Sequence, residues 1–318
     1  MPKWIVVITE PINEAGVRLL EQNEVEVIHL PPGSKESTLI DVAPQASGFI
    51  TRGGVKVTRR IMEASPHLKA IGVHGIGCDH VDLIAAKDLG KAVINTPDSL
   101  TVTVAEMAVA MMLSMTRRIA LADRAVRTGG WARKYSDLIG NELMGKTIGL
   151  VGLGRIGAET ARRLKAFEVK LLYWSRTRHP EQECEIGLEW AELPSLLARS
   201  DILSLHIPGT TKTHHLIGAA QLSSMKRGAM IVNTARGRII EETALVEALR
   251  NGRISFAALD VFEHEPIVSA NPLLEMDNVV LTPHLSASSI EAMRRMAIQV
   301  AQGVIDVLEG REPRNRVA

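Results

Sequence analysis

Gly149-Leu150-Val151-Gly152-Leu153-Gly154-Arg155-Ile156-Gly157 decides the reading of this chain, because an apolar strand runs there directly into a glycine turn that opens a helix. Gly152 permits the tight turn, Gly154 lets backbone approach a phosphate, and Gly157 lets the helix lie close to the strand. The helix amino terminus adds unpaired N–H groups and a positive dipole end, so a dinucleotide pyrophosphate would sit here. G-x-G-x-x-G alone is a weak signal that a purely structural turn can produce. Here Lys146-Thr147-Ile148 leads into it, Ala158 to Phe167 predicts an amphipathic helix, and Val169 to Trp174 predicts a second apolar strand. That context favours the dinucleotide reading.

Working outward, short apolar runs alternate with helical patterns on both sides of the motif. Upstream, strands are expected at Trp4 to Ile8, Val25 to Ile28, Gly48 to Ile50, Ala70 to Val73 and Ala92 to Ile94, with helices near Pro11 to Glu21, Thr58 to Ala64 and Val81 to Leu89. Downstream, strands are expected at Ile202 to His206, Ala229 to Val232, Ser255 to Ala258 and Val279 to Leu281, with helices near Trp190 to Arg199, Ala219 to Met225 and Glu242 to Asn251. Such alternation predicts an α/β protein with two doubly wound parallel sheets. A helix from Ser99 to Arg117 and an irregular stretch to Gly145 separate the two series, and a last helix from about Ser288 to Leu308 has no strand after it. That helix is expected to return to the first domain. The expected division is 1–100 plus 286–318, with 101–285 inserted between them.

Length and composition exclude several classes. With 318 residues, 46% of them hydrophobic, the chain suits two domains with separate cores. A net charge of +1 gives no electrostatic case for nucleic acid, and no run is long enough to span a membrane. Cys78 and Cys184 lack metal-ligand spacing, so neither a disulfide framework nor a metal site is expected, and a cytoplasmic setting follows. Met107, Met111, Met112 and Met115 recur at near-helical spacing and read as core or subunit interface. Val102, Ala105, Ala108 and Val109 widen that helix's apolar surface, which suggests a homodimer built on it and on the arm Gly129 to Gly140.

Three polar signals follow strands of the second series, where an open parallel sheet places its ligands. In Val232-Asn233-Thr234-Ala235-Arg236-Gly237, the Arg236 guanidinium could grip a carboxylate through paired hydrogen bonds, or could be a solvated turn arginine. The others are Leu259-Asp260-Val261-Phe262-Glu263-His264-Glu265-Pro266 and Thr282-Pro283-His284. A histidine beyond a strand end is as often structural as catalytic, but a carboxylate beside it favours imidazolium and tunes a proton donor. Glu265 and His284 stand nineteen positions apart, one loop and one strand, so the fold can bring them together.

The motifs at 152–157, 233–237, 259–266 and 281–284, in this order and at these spacings, resemble those of the D-isomer-specific 2-hydroxyacid dehydrogenases, and the resemblance runs over essentially the whole chain. It implies a Rossmann dinucleotide-binding domain inserted into a flavodoxin-like substrate domain. Arg236 would bind substrate and polarise its carbonyl, His284 would be the acid/base, and Glu265 would hold and charge the histidine. Cofactor contacts would come from Gly152, Leu153, Gly154, Arg155, Ile156, Gly157, Ser175, Arg176, Thr177, Ile207, Thr234, Ala235, Arg236, Asp260 and His284. The loop Val73-His74-Gly75-Ile76-Gly77-Cys78-Asp79 matches the family's carboxylate-holding loop, so substrate contacts are expected from Arg52, His74, Gly75, Ile76 and Arg236. The implied reaction is hydride exchange between a nicotinamide and a small 2-oxo or 2-hydroxy acid, glyoxylate or hydroxypyruvate above others.

An NAD site normally carries an acid about 20 residues past the glycine turn to hold the ribose 2′-hydroxyl. Ser175 takes that place, followed by Arg176, Thr177 and Arg178, so the loop favours the 2′-phosphate of NADPH, with NADH as the other cofactor it could accept. Two rival functions stand beside this reading. Thr51-Arg52-Gly53-Gly54 could meet a phosphate, as in a 3-phosphoglycerate dehydrogenase. From another class, some transcriptional co-repressors resemble the family and sense NAD(H), although no low-complexity arm follows the last helix here.

Overall fold

The computed structural model describes residues 3–318 and divides into two units, one formed by the chain up to Leu100 together with Ala287–Ala318, the other by Thr101–Ser286. In the first, β1 (Trp4–Ile8), β2 (Val25–His29), β3 (Gly48–Thr51), β4 (Ala70–Val73) and β5 (Ala92–Ile94) form a parallel sheet in the order β2-β1-β3-β4-β5. This is the flavodoxin-like order. Strands β3, β4 and β5 are buried at every position, which is why they read as continuous apolar runs and not as alternating ones. The terminal helix Ile290–Leu308 sets Val300, Val304 and Leu308 into one core with Val6, Ile8, Ile50 and Ile94. The carboxyl end therefore completes the first unit.

The second unit holds β6 (Thr147–Val151), β7 (Lys170–Trp174), β8 (Leu188–Trp190), β9 (Ile202–Leu205), β10 (Ala229–Asn233), β11 (Ile254–Leu259) and β12 (Val279–Leu281), all parallel, in the order β12-β11-β10-β9-β6-β7-β8. The chain reverses direction across the sheet between β6 and β9, the switch point at which such sheets bind ligands. Alternate residues feed two cores: Leu203, Ile231, Ala257 and Leu259 on one face, Ile202, Met230, Val232 and Ala258 on the other. The register is level, because Trp174 pairs with Val151, Val151 with Leu205, Leu205 with Asn233, Asn233 with Leu259, and Leu259 with Leu281. Six loops thus leave the sheet along one row.

The elements differ from the sequence expectation in instructive places. The helix after the glycine turn begins at Arg155, not Ala158, so the motif itself supplies its first turn. Trp190 closes the three-residue strand β8 instead of opening a helix, which starts at Leu193 with Pro194 in a first turn that needs no proline N–H. Helices Glu36–Val42, Ile119–Arg127 and Pro180–Ile186 had no counterpart in the pattern. Ser286 belongs to the second unit, one residue beyond the expected boundary, because its N–H donates to Asp260 Oδ2 at 2.9 Å.

The helix Thr101–Thr116 corrects the motive for a dimer. Val109, Met111, Met112 and Met115 pack with Ile148, Leu150 and Leu164, so much of its apolar surface is covered within its own unit. Large exposed apolar side chains lie farther along, at Ile119, Val126, Trp131, Tyr135, Ile139 and Met144. Among the described residues no helix is long and apolar enough to cross a membrane.

Candidate active site

At the centre of the row, Gly152 has φ +102°, and a Cβ there would lie 2.5 Å from the His206 carbonyl oxygen and 2.7 Å from Ile207 Cγ2. Only glycine fits this approach. A Cβ on Gly157 would stand 2.2 Å from the Gly152 carbonyl oxygen, so the helix rests directly on the turn. Gly154, by contrast, faces open space, with Arg155 exposed next to it and Leu153 buried beneath. Two buried polar atoms on the same row of strand ends have no hydrogen-bond partner among the described residues: Thr234 Oγ1, just past β10, and His206 Nδ1, just past β9. An open glycine cradle flanked by unsatisfied polar atoms fits a bound dinucleotide. His206 is neutral, since burial lowers its pKa to about 4, and its Nε2 lies 2.9 Å from Ser204 Oγ.

Asn233, at the end of β10, shapes the loop that carries Arg236. Its side chain accepts from Ala235 N at 3.0 Å and donates to the Arg236 carbonyl at 2.9 Å. The half-buried guanidinium donates to the Ala235 carbonyl at 2.7 Å. Gly209, in the loop after β9, gives this arginine room, because a Cβ there would be 3.0 Å from Arg236 Cγ.

Glu265 and His284 meet, as their spacing allowed: His284 Nδ1 is 2.6 Å from Glu265 Oε2, and the other Glu265 oxygen accepts from Phe262 N at 2.9 Å. The Glu265 bond raises the histidine pKa above its ordinary value; burial and Arg236 oppose this, while the charges of Glu265 and Asp260 reinforce it. Burial pushes the Glu265 carboxyl up, but the bonds from His284 and Phe262 outweigh it and hold the group below the usual range. Half of the His284 side chain stays exposed, and Glu265 engages it through Nδ1, not Nε2.

Asp260 is bonded to the loop that follows β12. It is fully buried, and each carboxylate oxygen already accepts two bonds: Oδ1 from Thr282 Oγ1 at 2.6 Å and Leu285 N at 2.9 Å, Oδ2 from Ser286 N at 2.9 Å and from the Ser286 hydroxyl. Those four bonds make the side chain a brace for the loop that carries His284. Its carbonyl also accepts from His284 N at 2.8 Å, where the backbone turns left-handed at φ +52°.

The loop after β7 is closed on itself. The Ser175 hydroxyl donates to the Thr177 carbonyl. Arg178 spends Nε and Nη2 on the two oxygens of Glu183, both at 2.8 Å, and Glu183 Oε1 also accepts from Tyr173 OH at 2.6 Å. Those two partners hold the Glu183 carboxyl down to about 2. Arg178 is therefore not an open donor, as the sequence suggested. Arg176 is exposed and makes no hydrogen bond or ion pair among the described residues. Tyr173 and Glu183 escaped the sequence reading, although Glu183 falls on a short helix five residues after Arg178, a spacing that could have drawn notice.

In the first unit, Arg52 and His74 follow the paired ends of β3 and β4. Arg52 is exposed; its N–H donates to Glu10 Oε2 at 2.7 Å and its guanidinium to the Pro11 carbonyl at 2.8 Å. His74 is buried, and burial together with the Arg52 charge lowers its pKa to about 4, so it is a neutral ring. The Gly75 N–H is taken by the Val73 carbonyl, while Thr96 N and Asn95 Nδ2 hold the carbonyls of Gly75 and Ile76 at 2.9 Å each. His214, His215 and Glu263 cluster with ligating atoms within 4.8 Å, but His215 Nε2 already sits 2.7 Å from Glu263 Oε1 and ties two loops together.

Fold and glycine turn define a dinucleotide-binding α/β protein. A model of the "D-isomer specific 2-hydroxyacid dehydrogenase, NAD binding domain" matches residues 109–286. The glyoxylate reductase of Thermofilum pendens is 43% identical over 97% of this chain and 92% of its own length. The D-3-phosphoglycerate dehydrogenase of Archaeoglobus fulgidus is 40% identical over 98% of this chain, which spans 59% of that protein. Among solved structures, the NADPH-dependent glyoxylate/hydroxypyruvate reductase of Sinorhizobium meliloti in complex with NADP and malonate has a TM-score of 0.88 at 32% identity, covering 99% of this chain and 97% of that one. The chain belongs to the D-isomer-specific 2-hydroxyacid dehydrogenase family, whose members are NAD(P)-dependent oxidoreductases.

The Glu265 bond is the first cause of the raised His284 pKa, so Glu265→Gln should lower it. An NMR titration of the His284 ring is expected to show protonation moving to lower pH in that variant. A ring that titrates at the same pH in both proteins would mean that the contact does not charge the imidazole.

Proposed function

We propose that this protein reduces a small 2-oxo acid, glyoxylate or hydroxypyruvate, to the 2-hydroxy acid, of D configuration where the product is chiral, and prefers NADPH. The observation that carries this is a histidine held by Glu265 at 2.6 Å, its pKa raised by that bond, with the Arg236 charge acting on both. The bound nicotinamide supplies the hydride. Arg236 grips the substrate carboxylate and polarises its carbonyl, His284 gives the proton from Nε2 to the carbonyl oxygen, and Glu265 stabilises the imidazolium until transfer. In the oxidative direction the same ring takes the proton. The loop Val73–Gly77 contributes backbone N–H groups to the substrate carboxylate, the part its motif implies; Ile76 and Gly77 N–H have no partner among the described residues.

Reduction needs protonated His284. Its rate should therefore hold at low pH and fall as pH rises through a pKa above the ordinary imidazole value of about 6.5. His284→Ala should lower kcat by about a hundredfold with little change in cofactor affinity. Arg236→Lys should also be damaging, because an ammonium cannot reproduce a two-pronged grip. Wild-type rates on glyoxylate and hydroxypyruvate across pH 6 to 8 in either variant would refute its assignment. The same assay run with 3-phosphohydroxypyruvate tests the phosphoglycerate alternative, which the Archaeoglobus fulgidus relative supports. Cofactor binding without turnover of any 2-oxo acid would favour an NAD(H)-sensing protein.

For the cofactor, Ser175→Asp should place a carboxylate against the 2′ position, where it accepts from the NADH hydroxyl and repels the NADPH phosphate. Relative KM should shift by about ten to a hundredfold toward NADH. Arg176→Ala should raise the NADPH KM alone, with an effect that shrinks in salt. Equal shifts for both nucleotides in both variants would show that the loop does not read the 2′ position.

The protein is proposed to work in the cytoplasm as a homodimer. The exposed Trp131, Tyr135, Ile139 and Met144 support pairing through the arm, with Ile119 and Val126 beside it. Sedimentation should show a dimer at micromolar concentration, and Trp131→Asp with Tyr135→Asp should shift it toward monomer; a wild-type protein that sediments only as monomer would remove the proposal.

A further inference from the structure

Two arginines stand near the expected 2′ position, and they are in opposite situations. Arg178 is engaged side-on, Nε and Nη2 against both oxygens of Glu183 at 2.8 Å, the bidentate geometry in which arginine binds carboxylate most strongly. Glu183 is itself anchored, because Tyr173 OH donates to it at 2.6 Å, the same phenol oxygen accepts from His179 N at 2.8 Å, and the Tyr173 side chain is fully buried in β7. Arg176, two residues earlier, is exposed and makes no hydrogen bond or ion pair among the described residues. Arginines of the surrounding surface are paired: Arg162 with Glu159 and Glu185, Arg163 with Glu159, Arg199 with Glu189.

We propose that Glu183 is a specificity-determining residue that withholds Arg178 from the cofactor, so that the loop reads a 2′-phosphate through Arg176 alone. This rests on the reading that residues 175–178 face the ribose 2′ position. A carboxylate that compensates one of two cations halves the positive charge the loop offers to a phosphate, while NADH, with a neutral 2′-hydroxyl, is indifferent to it. Glu183 thus restrains the preference for NADPH and keeps NADH within reach of the same site.

The test is binding of NADPH and NADH to the full-length protein, followed by nicotinamide fluorescence at low and high salt. Arg176→Ala should weaken NADPH at least tenfold, whereas Arg178→Gln should leave its Kd within twofold, because that cation is already spent. Glu183→Gln keeps the acceptor for Tyr173 but releases Arg178. It should tighten NADPH about five- to tenfold at low salt, leave NADH within twofold, and lose the gain in the double variant Glu183→Gln/Arg178→Gln. A fivefold or greater loss of NADPH affinity in Arg178→Gln overturns the proposal, as does an unchanged or weaker NADPH Kd in Glu183→Gln. Because Arg178 is exposed, its variant reads the proposal independently of how Glu183→Gln folds. If Arg176→Ala and Ser175→Asp also fail to separate the nucleotides, the reading of the loop itself falls; if they succeed, only the withholding by Glu183 does.

Discussion

The level register of six parallel strands is the constraint on which the second unit's chemistry depends. Trp174, Val151, Leu205, Asn233, Leu259 and Leu281 stand on one row, so the next residue of each strand starts a loop at the same height. Ser175, Gly152, His206, Thr234, Asp260 and Thr282 are those next residues, and Arg236 and His284 lie three positions past the row. The register is strongly fixed because both faces are buried: a slip of one residue would exchange Met230 and Val232 with Ile231 between two differently shaped cores and carry every loop out of line. Packing of apolar residues thus sets the positions of polar ones.

Height alone does not aim a side chain, and the aiming of His284 falls to Asp260. A carboxylate with no exposed surface is costly unless its lone pairs are satisfied, and here two bonds reach each oxygen, all from residues 282–286. The satisfied acid fixes the loop in one shape, including the left-handed backbone at His284 that costs roughly 1 kcal/mol or more in a residue with a Cβ. The loop carries strain at one residue and is held there by a buried anion. With Nδ1 held by Glu265, Nε2 is the ring nitrogen left for the proton transfer proposed above.

How much of this was legible in the chain follows from which physical signals are local. Parallel strands such as the buried Ala70–Val73 and the half-buried Val279–Leu281 appear as apolar runs between turns, and their limits agree with the sequence reading to the residue. The glycine turn was legible because Gly152 and Gly157 answer to clashes that no other residue avoids. Glu265 and His284 were legible as a spacing, and the fold supplied the contact. What escaped depends on partners distant in sequence or on elements too short for a period to show. The bracing role of Asp260 did not show because its four donors lie 22 to 26 residues away. Arg178 looked like a phosphate donor because Glu183 sits in a seven-residue helix with hardly two turns of pattern. Thr101–Thr116 looked like an interface because apolar residues on several faces say that a helix is covered, but not by what.

The order of the strands also separates the two roles proposed for this site. The loop proposed to read the cofactor follows β7 and the proposed proton donor follows β12, five strand spacings apart in the sheet. At about 4.8 Å per spacing this is about 24 Å along the sheet, against a screening length of about 8 Å at physiological salt. Charges at 175–183 therefore leave little field at His284, whose proton affinity answers to Glu265, Arg236 and Asp260 instead. On the proposed reading, cofactor preference can change by substitution at one end of the row while the acid at the other keeps its pKa. One proposed catalytic pair could then serve either nucleotide, because the loop proposed to distinguish the nucleotides lies beyond the electrostatic reach of His284.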